Sequence, residues 1–466
     1  MVIQSVKLED IKKIYFIGIG GTSMSGLALM SKMNSFEVSG SDMRPCIYTE
    51  KLEKNGIPVY IGHRAENVPK DADLVVYSAA IHADNIEMQT AEGYGIPLME
   101  RSYFLGILSR LYPETIAISG THGKTTTSSL AALTLLNAGL DPSISVGGTI
   151  SQIGGNSRVG NSRYFVIEAC EFVDSFLHTQ HSIGVILNID EDHLDYFTGG
   201  IEQITRSFGK FAQILPAYGL LVANGDDEHV LTLLPSVKAE IQTFGLGADN
   251  FWRADNIAYD EFGKPTFDVY KQGVYYNTFS LEIPGEHNVH NSLAVIAIAD
   301  HLAIRPEAIH KSFADFKGAK RRFEFRGEKR GIKVFEDYAH HPKELEVTIA
   351  ACKNYKHNKL WVVFQPHTYS RTFFLFDKFV DAFKTADEVI LNDIYSDRET
   401  NDWNIYSENI AEKVTEKYGV PTHVISEFED IVAYIVKNAR EGDLVLVAGS
   451  QSINKVAVML VEALDK

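Results

Sequence analysis

One stretch constrains this chain more than any other: Ile116-Ala117-Ile118-Ser119-Gly120-Thr121-His122-Gly123-Lys124-Thr125-Thr126-Thr127. The apolar residues read as a buried strand, the two glycines as a tight turn, and the Lys/Thr run as the start of a helix. Such a turn lets backbone N–H groups close on an anion, aims the unpaired amides of the helix at it, and supplies Lys124 for the terminal phosphates. Thr125 or Thr126 then offers a hydroxyl to magnesium. The full P-loop spacing G-x-x-x-x-G-K-[ST] fails, because Ile118 stands where its first glycine belongs; what remains is G-T-x-G-K-[ST]-[ST]. The competing reading is an ordinary strand-to-helix turn with an exposed lysine. The apolar strand before the turn and the Thr/Ser-rich helix start after it favour a phosphate cradle, and with it ATP as ligand.

A cradle of this kind belongs to an α/β chain, and 466 residues are too many for one core, so about three domains are expected. An excess of 61 acidic over 44 basic side chains, net −17, argues against nucleic acid or an anionic membrane as the main partner. Basic groups that bind an anion must therefore be gathered locally. Cys46, Cys170 and Cys352 are odd in number and far apart, which implies neither a disulfide framework nor a zinc cluster and fits a reducing compartment. Residues Met1 to Lys13 carry charge without a signal-type apolar core, and no run approaches a membrane span. A cytoplasmic protein, monomer or homodimer, is expected.

Taken in order, Lys13 to Ile19 reads as a strand, Gly18-Ile19-Gly20-Gly21-Thr22-Ser23-Met24-Ser25-Gly26 as a glycine turn, and the run through Met33 as a helix. The dinucleotide fingerprint fails at Ser23, which argues against a nicotinamide cofactor but leaves a diphosphate on the helix N-terminus physically reasonable. Phe36 to Asp42 makes a second strand ending in a carboxylate placed either for a ribose or as the cap of the next helix. A further strand, Ala72 to Ser78, carries Ala79-Ala80-Ile81-His82 at its C-terminal end, where ligands of parallel sheets sit. Tyr112-Pro113-Glu114 looks like a linker, giving domains at 1–111, 112–316 and 317–466.

In the second domain, the strand Arg163 to Ile167 leads to Glu168-Ala169-Cys170-Glu171, and Ser182 to Leu187 leads to Asn188-Ile189-Asp190-Glu191-Asp192-His193-Leu194-Asp195. Glu168 and His193 are the candidate metal or metal-water ligands. At least two of Asp190, Glu191, Asp192 and Asp195 read as a solvated, capping turn, and His178 and His181 as surface residues. Gly219 to Ser280 shows short strands with a hairpin around Lys271-Gln272-Gly273 and no evident chemistry. Asn288 and Asn291 share one face of the helix running to Leu302, where two amides can read a purine edge; alternatively, Asn288 is an N-cap. The third domain opens on the basic cluster Lys320-Arg321-Arg322-Phe323, then the strand Lys333 to Phe335 and Glu336-Asp337-Tyr338-Ala339-His340-His341-Pro342. The strand Leu360 to Phe364 ends in Gln365-Pro366-His367-Thr368-Tyr369-Ser370-Arg371, and Asp443 to Ala448 is one more strand. His, Tyr and Arg at consecutive strand ends suit an anionic or amine-bearing substrate, with His340 or His341 equally able to cap a helix.

The phosphate loop, Glu168, His193, His287 to Asn291, Arg322 and Asp337 occur in the order found in the Mur ligases, and over essentially the whole chain the sequence resembles that family of ATP-dependent amide-bond-forming enzymes of peptidoglycan synthesis. Gly18 to Gly26, Asn188 to Asp195, Tyr338 to Pro342 and Phe364 to Thr372 resemble the branch that adds the first amino acid. The resemblance implies an N-terminal Rossmann-like UDP-sugar domain, a central P-loop-type ATPase with a mostly parallel sheet, and a C-terminal Rossmann-like domain that brings the amino acid. It implies ATP, Mg2+ or Mn2+, UDP-N-acetylmuramate and L-alanine. By position, Gly120, Thr121, His122, Gly123, Lys124, Thr125 and Thr126 would bind ATP phosphates and Asn288 and Asn291 the adenine. Thr125 and Glu168 would serve magnesium, His193 a second metal, and Arg322 and Asp337 the ATP and closure site. Gly18, Gly20, Gly21, Thr22, Ser23, Met24, Asp42, Ser78 and His82 would bind the UDP-sugar, and Tyr338, His340, His367 and Arg371 would border the alanine. Two departures stand out: Cys170 where the family more often has aspartate in E-A-D-E, and Thr368 where many members have arginine in F-Q-P-H-R. The second transfers to Arg371 the task of pairing the amino-acid carboxylate. The alternatives are a recycling ligase that adds a whole peptide to the same sugar nucleotide, or a nucleotide-binding sensor without catalysis, marked by Cys170.

Overall fold

A computed structural model describes residues 8–78, 80–260, 262–318, 321–353, 355–396 and 399–465. Residues 1–7, Ala79 and Lys320, which entered the sequence reading, lie outside the described residues. The chain forms two compact units: the first holds 1–189, 205–253 and 291–312, the second 190–204, 254–290 and 313–466.

The first unit contains two sheets, the first all parallel. That sheet is built from β1 (Lys13–Ile17), β2 (Glu37–Asp42), β3 (Val59–Ile61), β4 (Leu74–Tyr77) and β5 (Leu98–Glu100) in the order 3-2-1-4-5. β1 pairs in parallel with β2 on one side and β4 on the other, so the strand order reverses beside it and opens a crevice at its C-terminal end. β1 stops at Ile17, two residues short of the expected Ile19, because Gly18 turns to φ 79°. The helix Thr22–Met33 follows.

The second sheet uses β6 (Glu114–Ser119), β7 (Ser143–Ile150), β8 (Gly155–Arg158), β9 (Tyr164–Glu168), β10 (Ile183–Ile186), β11 (Leu220–Asn224) and β12 (Glu240–Gly245), ordered 12-11-10-6-9-7-8. It is parallel except where β7 meets β8. β13 (Trp252–Tyr259) begins beside β12 and passes into the second unit at Ala254. β6 is buried from Thr115 to Ser119 and lies between β10 and β9, parallel to both. Full burial on both faces explains why it reads as a continuous apolar run rather than an alternating one. The two sheets touch at tight points: a Cβ on Gly26 would lie 2.6 Å from Ser157 Cβ, and one on Gly106 would lie 2.1 Å from the His178 carbonyl oxygen.

In the second unit, β14 (Pro265–Lys271) and β15 (Val274–Ser280) form the expected hairpin; Gln272 and Gly273 at its tip both take positive φ, as a two-residue turn requires. A third sheet comprises β16 (Glu324–Lys329), β17 (Ile332–Asp337), β18 (Leu360–Phe364), β19 (Glu388–Leu391), β20 (Thr422–Val424) and β21 (Leu444–Ala448), ordered 16-17-21-18-19-20. All neighbours are parallel except β16 with β17. Successive side chains enter opposite cores: Phe335, Val362 and Phe364 pack on one face, Val334, Trp361 and Val363 on the other. Each such burial contributes about 1.5–3 kcal/mol. Among the described residues no helix is long and apolar enough to cross a membrane.

Candidate active site

Strand register builds the cradle. Ile118 on β6 is opposite Glu168 on β9, and Ser119 is opposite Ile186 on β10, so the turn after β6 lies between the ends of both neighbours. Gly120 at φ 142° and Gly123 at φ 83° hold conformations that other residues rarely adopt. Side chains would also collide there: a Cβ on Gly120 would lie 2.8 Å from Leu187 Cβ, and one on Gly123 would lie 2.6 Å from Asn291 Oδ1. Asn291 thus packs directly on the loop. Asn188 clamps the same loop: its carbonyl accepts from Thr121 N at 3.1 Å, its Oδ1 from His122 N at 2.8 Å, and its Nδ2 donates to His122 O at 3.0 Å.

The helix Lys124–Asn137 starts with Gly123 as N-cap and no capping side chain. Of the two threonines offered for a cation, Thr125 faces a carboxylate: its hydroxyl donates to Glu168 Oε1 at 3.2 Å. Glu168 also accepts from Gly147 N at 2.8 Å and Ser128 Oγ at 3.5 Å. This hydroxyl and carboxylate are hard oxygen donors of the type magnesium and manganese take, so they fit a divalent ion. Thr126 is half-buried, next to them in sequence.

Lys124 is engaged within the protein. Its ammonium donates to the carbonyls of Gly120 and Thr121 and to both oxygens of Glu171, at 3.0 and 2.9 Å. Burial, the largest single influence, lowers its pKa, but the charge and hydrogen bond of Glu171, together with Cys170 and Glu168, raise it above the ordinary lysine value. Cys170, between the two glutamates of this turn, has its thiol pushed up to about 11 by desolvation and then by Glu171, so it stays neutral at pH 7. His181 is not a surface residue: it is buried, stacked on Phe211 at 4.3 Å, and burial pushes it down to about 4. His178 is half-buried and stacks on Tyr103 at 3.5 Å.

At the first sheet the glycine turn is largely self-satisfied. Gly18 and Ile19 donate to Ser41 O, Gly21 donates to Gly18 O, and Gly20 donates to Asp42 Oδ2 at 2.9 Å. Asp42 therefore fastens the turn and does not cap the next helix, whose N-cap is Cys46. The amides left for an anion are those of the first helical turn, Thr22, Ser23 and Met24, where Gly21 is the N-cap and no side chain caps. The Met24 side chain is buried, Ser23 accepts from Arg101 at 3.3 Å, Ser78 lies under Gly18, and His82 is exposed.

In the second unit, the ends of β17, β18 and β21 are brought level by the pairs Asp337 with Ala448 and Phe364 with Ala448. Asp337 is buried and accepts from Phe323 N and Ala339 N, both at 2.6 Å; burial pushes its carboxyl up to about 6, against the pull of Arg322. Arg322 lies 5.3 Å from the Tyr338 ring and 3.6 Å from Glu344. Its neighbour Arg321, given no role by sequence reasoning, bonds Glu336 at 2.7 Å and the carbonyls of Gly449 and Gln451. Half-buried His340 bonds Tyr338 O at 3.0 Å, and desolvation pushes it down to about 3. His341, not His340, caps the helix Pro342–Cys352.

Arg371 is already ion-paired. It donates from Nε at 3.0 Å and Nη2 at 2.9 Å to Asp192 Oδ1, and lies 3.2 Å from His367 Nδ1. Asp192 is thereby a buried ion-pair member rather than a solvated turn acid; burial, the largest single influence, would raise its pKa, but Arg371 together with His193, His341 and His340 holds it well below the carboxylate range. His193, beside it, takes φ 53°. Asn288 sits in the third helical position of Glu286–His301 and donates to Pro284 O at 2.7 Å, so it is not the N-cap. Gln365 Oε1 and Ser450 Oγ, at the ends of β18 and β21, are buried with no hydrogen-bond partner among the described residues.

Three family models match the chain: "Mur ligase family, catalytic domain" over residues 13–113, "Mur ligase middle domain" over 118–299 and "Mur ligase, glutamate ligase domain" over 321–451. The chain is 46% identical over 452 residues to a UDP-N-acetylmuramate--L-alanine ligase of Acetivibrio thermocellus, spanning 97% of this chain and 96% of that protein. It is 46% identical over 450 residues to one of Clostridium botulinum, spanning 97% of each. The crystal structure of UDP-N-acetylmuramate-alanine ligase from Thermotoga maritima is similar with a TM-score of 0.79 and 28% identity, over 97% of this chain and 98% of that one.

Proposed function

This chain belongs to the Mur ligase family, and on that premise we propose that it joins L-alanine to the lactyl carboxylate of UDP-N-acetylmuramate at the expense of ATP. The enzyme is a ligase of peptidoglycan precursor synthesis. The observation that carries the reading is the cradle itself: Lys124, Thr125 and Glu168 converge on one glycine turn whose shape admits no side chain at Gly120 or Gly123.

The lactyl carboxylate attacks the γ-phosphorus of ATP, giving an acyl phosphate and ADP. The alanine amine then adds to the acyl carbon, loses a proton, and the tetrahedral intermediate expels phosphate. Lys124 and the amides of the Gly120–Lys124 turn offset charge on the transferring group. Thr125 and Glu168 would hold the magnesium or manganese ion, which supplies charge neutralisation on the phosphates when bound. His193 is assigned to a second ion, Asn288 and Asn291 to the adenine, and the Thr22–Met24 amides to the UDP diphosphate. Tyr338, His340 and His367 border the amino acid; Arg371 acts there by fixing His367 and Asp192. Free thiols at Cys46, Cys170 and Cys352 fit a cytoplasmic setting, and domain boundaries near 111/112 and 316/317 are part of the same proposal.

Lys124→Ala tests it. Ligation is expected to disappear while UDP-N-acetylmuramate binding persists; retained turnover would refute the assignment. Competition between free alanine and a tripeptide separates alanine addition from peptide recycling, and ADP release that ignores the amino acid would point to a sensor.

A further inference from the structure

Lys124 has three N–H donors, and all are engaged within the protein: two main-chain carbonyls of its own turn and the Glu171 carboxylate use them up. Among the described residues, Lys124 is also the only hydrogen-bond donor to that carboxylate, whose side chain is 3% exposed against 14% for the lysine. A buried carboxylate with one partner and a buried ammonium with one counter-charge form a closed pair. A phosphate needs the same ammonium.

The two partners differ in freedom. Glu171 begins a segment in which Val173 (φ 49°, ψ 34°) and Asp174 (φ 58°, ψ 21°) both occupy the left-handed region. That segment is pinned by Asp174 N to Glu171 O at 2.9 Å, Ser175 Oγ to Cys170 O at 2.8 Å, Phe176 N to Cys170 O at 3.0 Å, and a bond between Ser207 and Asp174. Glu171 is thus fixed, whereas Lys124 hangs on a four-carbon stem that can swing.

We propose that Glu171 is a placeholder for the nucleotide: it holds the Lys124 ammonium in the cradle and is displaced when the terminal phosphates take that cation. The inference rests on the reading of Lys124 as the phosphate-binding lysine. Glu171 is a positioning residue, acting through Lys124, and the work of parting them is subtracted from nucleotide affinity. The exchange keeps the cation desolvated and oriented, so the cradle does not collapse between turnovers. It also discriminates against weakly charged anions, since only a ligand of higher charge than a carboxylate displaces one efficiently.

The test is calorimetric titration of Glu171→Gln, Glu171→Asp, Lys124→Ala and the unaltered full-length enzyme with a non-hydrolysable ATP analogue and Mg2+, with UDP-N-acetylmuramate binding as the check on folding. Glu171→Gln is expected to bind the analogue on the order of tenfold more tightly, and Glu171→Asp, which keeps the charge, to stay near the unaltered protein. The thermal midpoint of nucleotide-free Glu171→Gln falls, and its rise on adding the analogue is larger than normal. Unchanged or weaker analogue binding by Glu171→Gln overturns the placeholder role while leaving the cradle intact. Undiminished binding by Lys124→Ala overturns the cradle reading itself.

Discussion

Replacing Gly147 by alanine isolates the geometry of the candidate metal site without touching a ligand. Gly147 lies in β7 with ordinary negative φ, so alanine is compatible with its backbone. Its new Cβ would stand 2.6 Å from Glu168 Oε1 and 2.8 Å from Oε2. Normal contact would require the carboxylate to recede by about 0.7 Å, and the 2.8 Å hydrogen bond from Gly147 N would go with it. Because the obstructed atoms are the far end of a side chain, the fold should lose less than about 1 kcal/mol. A displacement approaching 1 Å of a charge-positioning group costs up to about 100-fold in rate. The expected result is a kcat lowered by about 10- to 100-fold, a raised half-saturating Mg2+ concentration, and an unchanged KM for alanine. Phosphate release measured across a magnesium titration reads all three. Glu168→Asp in the Gly147→Ala background, by shortening the acid, should recover part of the loss. Normal turnover with normal magnesium dependence in Gly147→Ala would refute the placement of Glu168 at the metal.

Two further perturbations probe buried charge. His181 is neutral in the folded state, with its pKa lowered by burial to about 4 from 6.5, so its contribution is fully present above pH 6.5 and is lost as pH falls toward 4. At pH 5 this amounts to about 2 kcal/mol; His181→Phe, which keeps the stack on Phe211, should remove that part of the loss between pH 8 and pH 5 in paired urea titrations, and equal losses would contradict a buried neutral imidazole. Asp192→Asn strands the Arg371 guanidinium, and a drop of about 3 kcal/mol is expected, with Arg371→Lys losing less; no shift in the urea midpoint would mean that the pair is solvated.

The parts legible in the sequence are those whose physics is local. The cradle reads directly, because glycines, lysine and hydroxyls at fixed offsets make the turn whatever surrounds it. Leu360 to Phe364 reads to both ends, since a strand buried on two faces is simply apolar. What fails is everything decided by a distant partner. His181, flanked by Gln180 and Ser182, looks like part of an exposed turn, and only the return of Phe211 thirty residues later buries it. Asp42 has its partner at Gly20, Arg371 at Asp192 and Asn188 at His122; spacing encodes none of these. Arg321 and Arg322 are equivalent on paper, and the register of β17 against β21 decides which one reaches the Gly449 and Gln451 carbonyls.

Part of the backbone strain lies near paired charges. Val173, His193, Arg321, Phe323 and Thr368 all take positive φ without being glycine, at about 1–3 kcal/mol each. Each lies in sequence within a few residues of a residue assigned to a ligand, and hydrogen bonds such as Phe323 N to Asp337 and Thr368 N to Tyr395 O hold them there. The cations of these segments are likewise committed: Lys124 to Glu171, Arg321 to Glu336, Arg322 to Glu344 and Arg371 to Asp192. A chain of net charge −17 therefore meets its anionic substrates with paired cations, not bare ones. Binding must proceed by exchange of one anion for another around a cation already desolvated. Such exchange releases few counterions, so nucleotide affinity should depend on salt far less steeply than it would at an open basic groove.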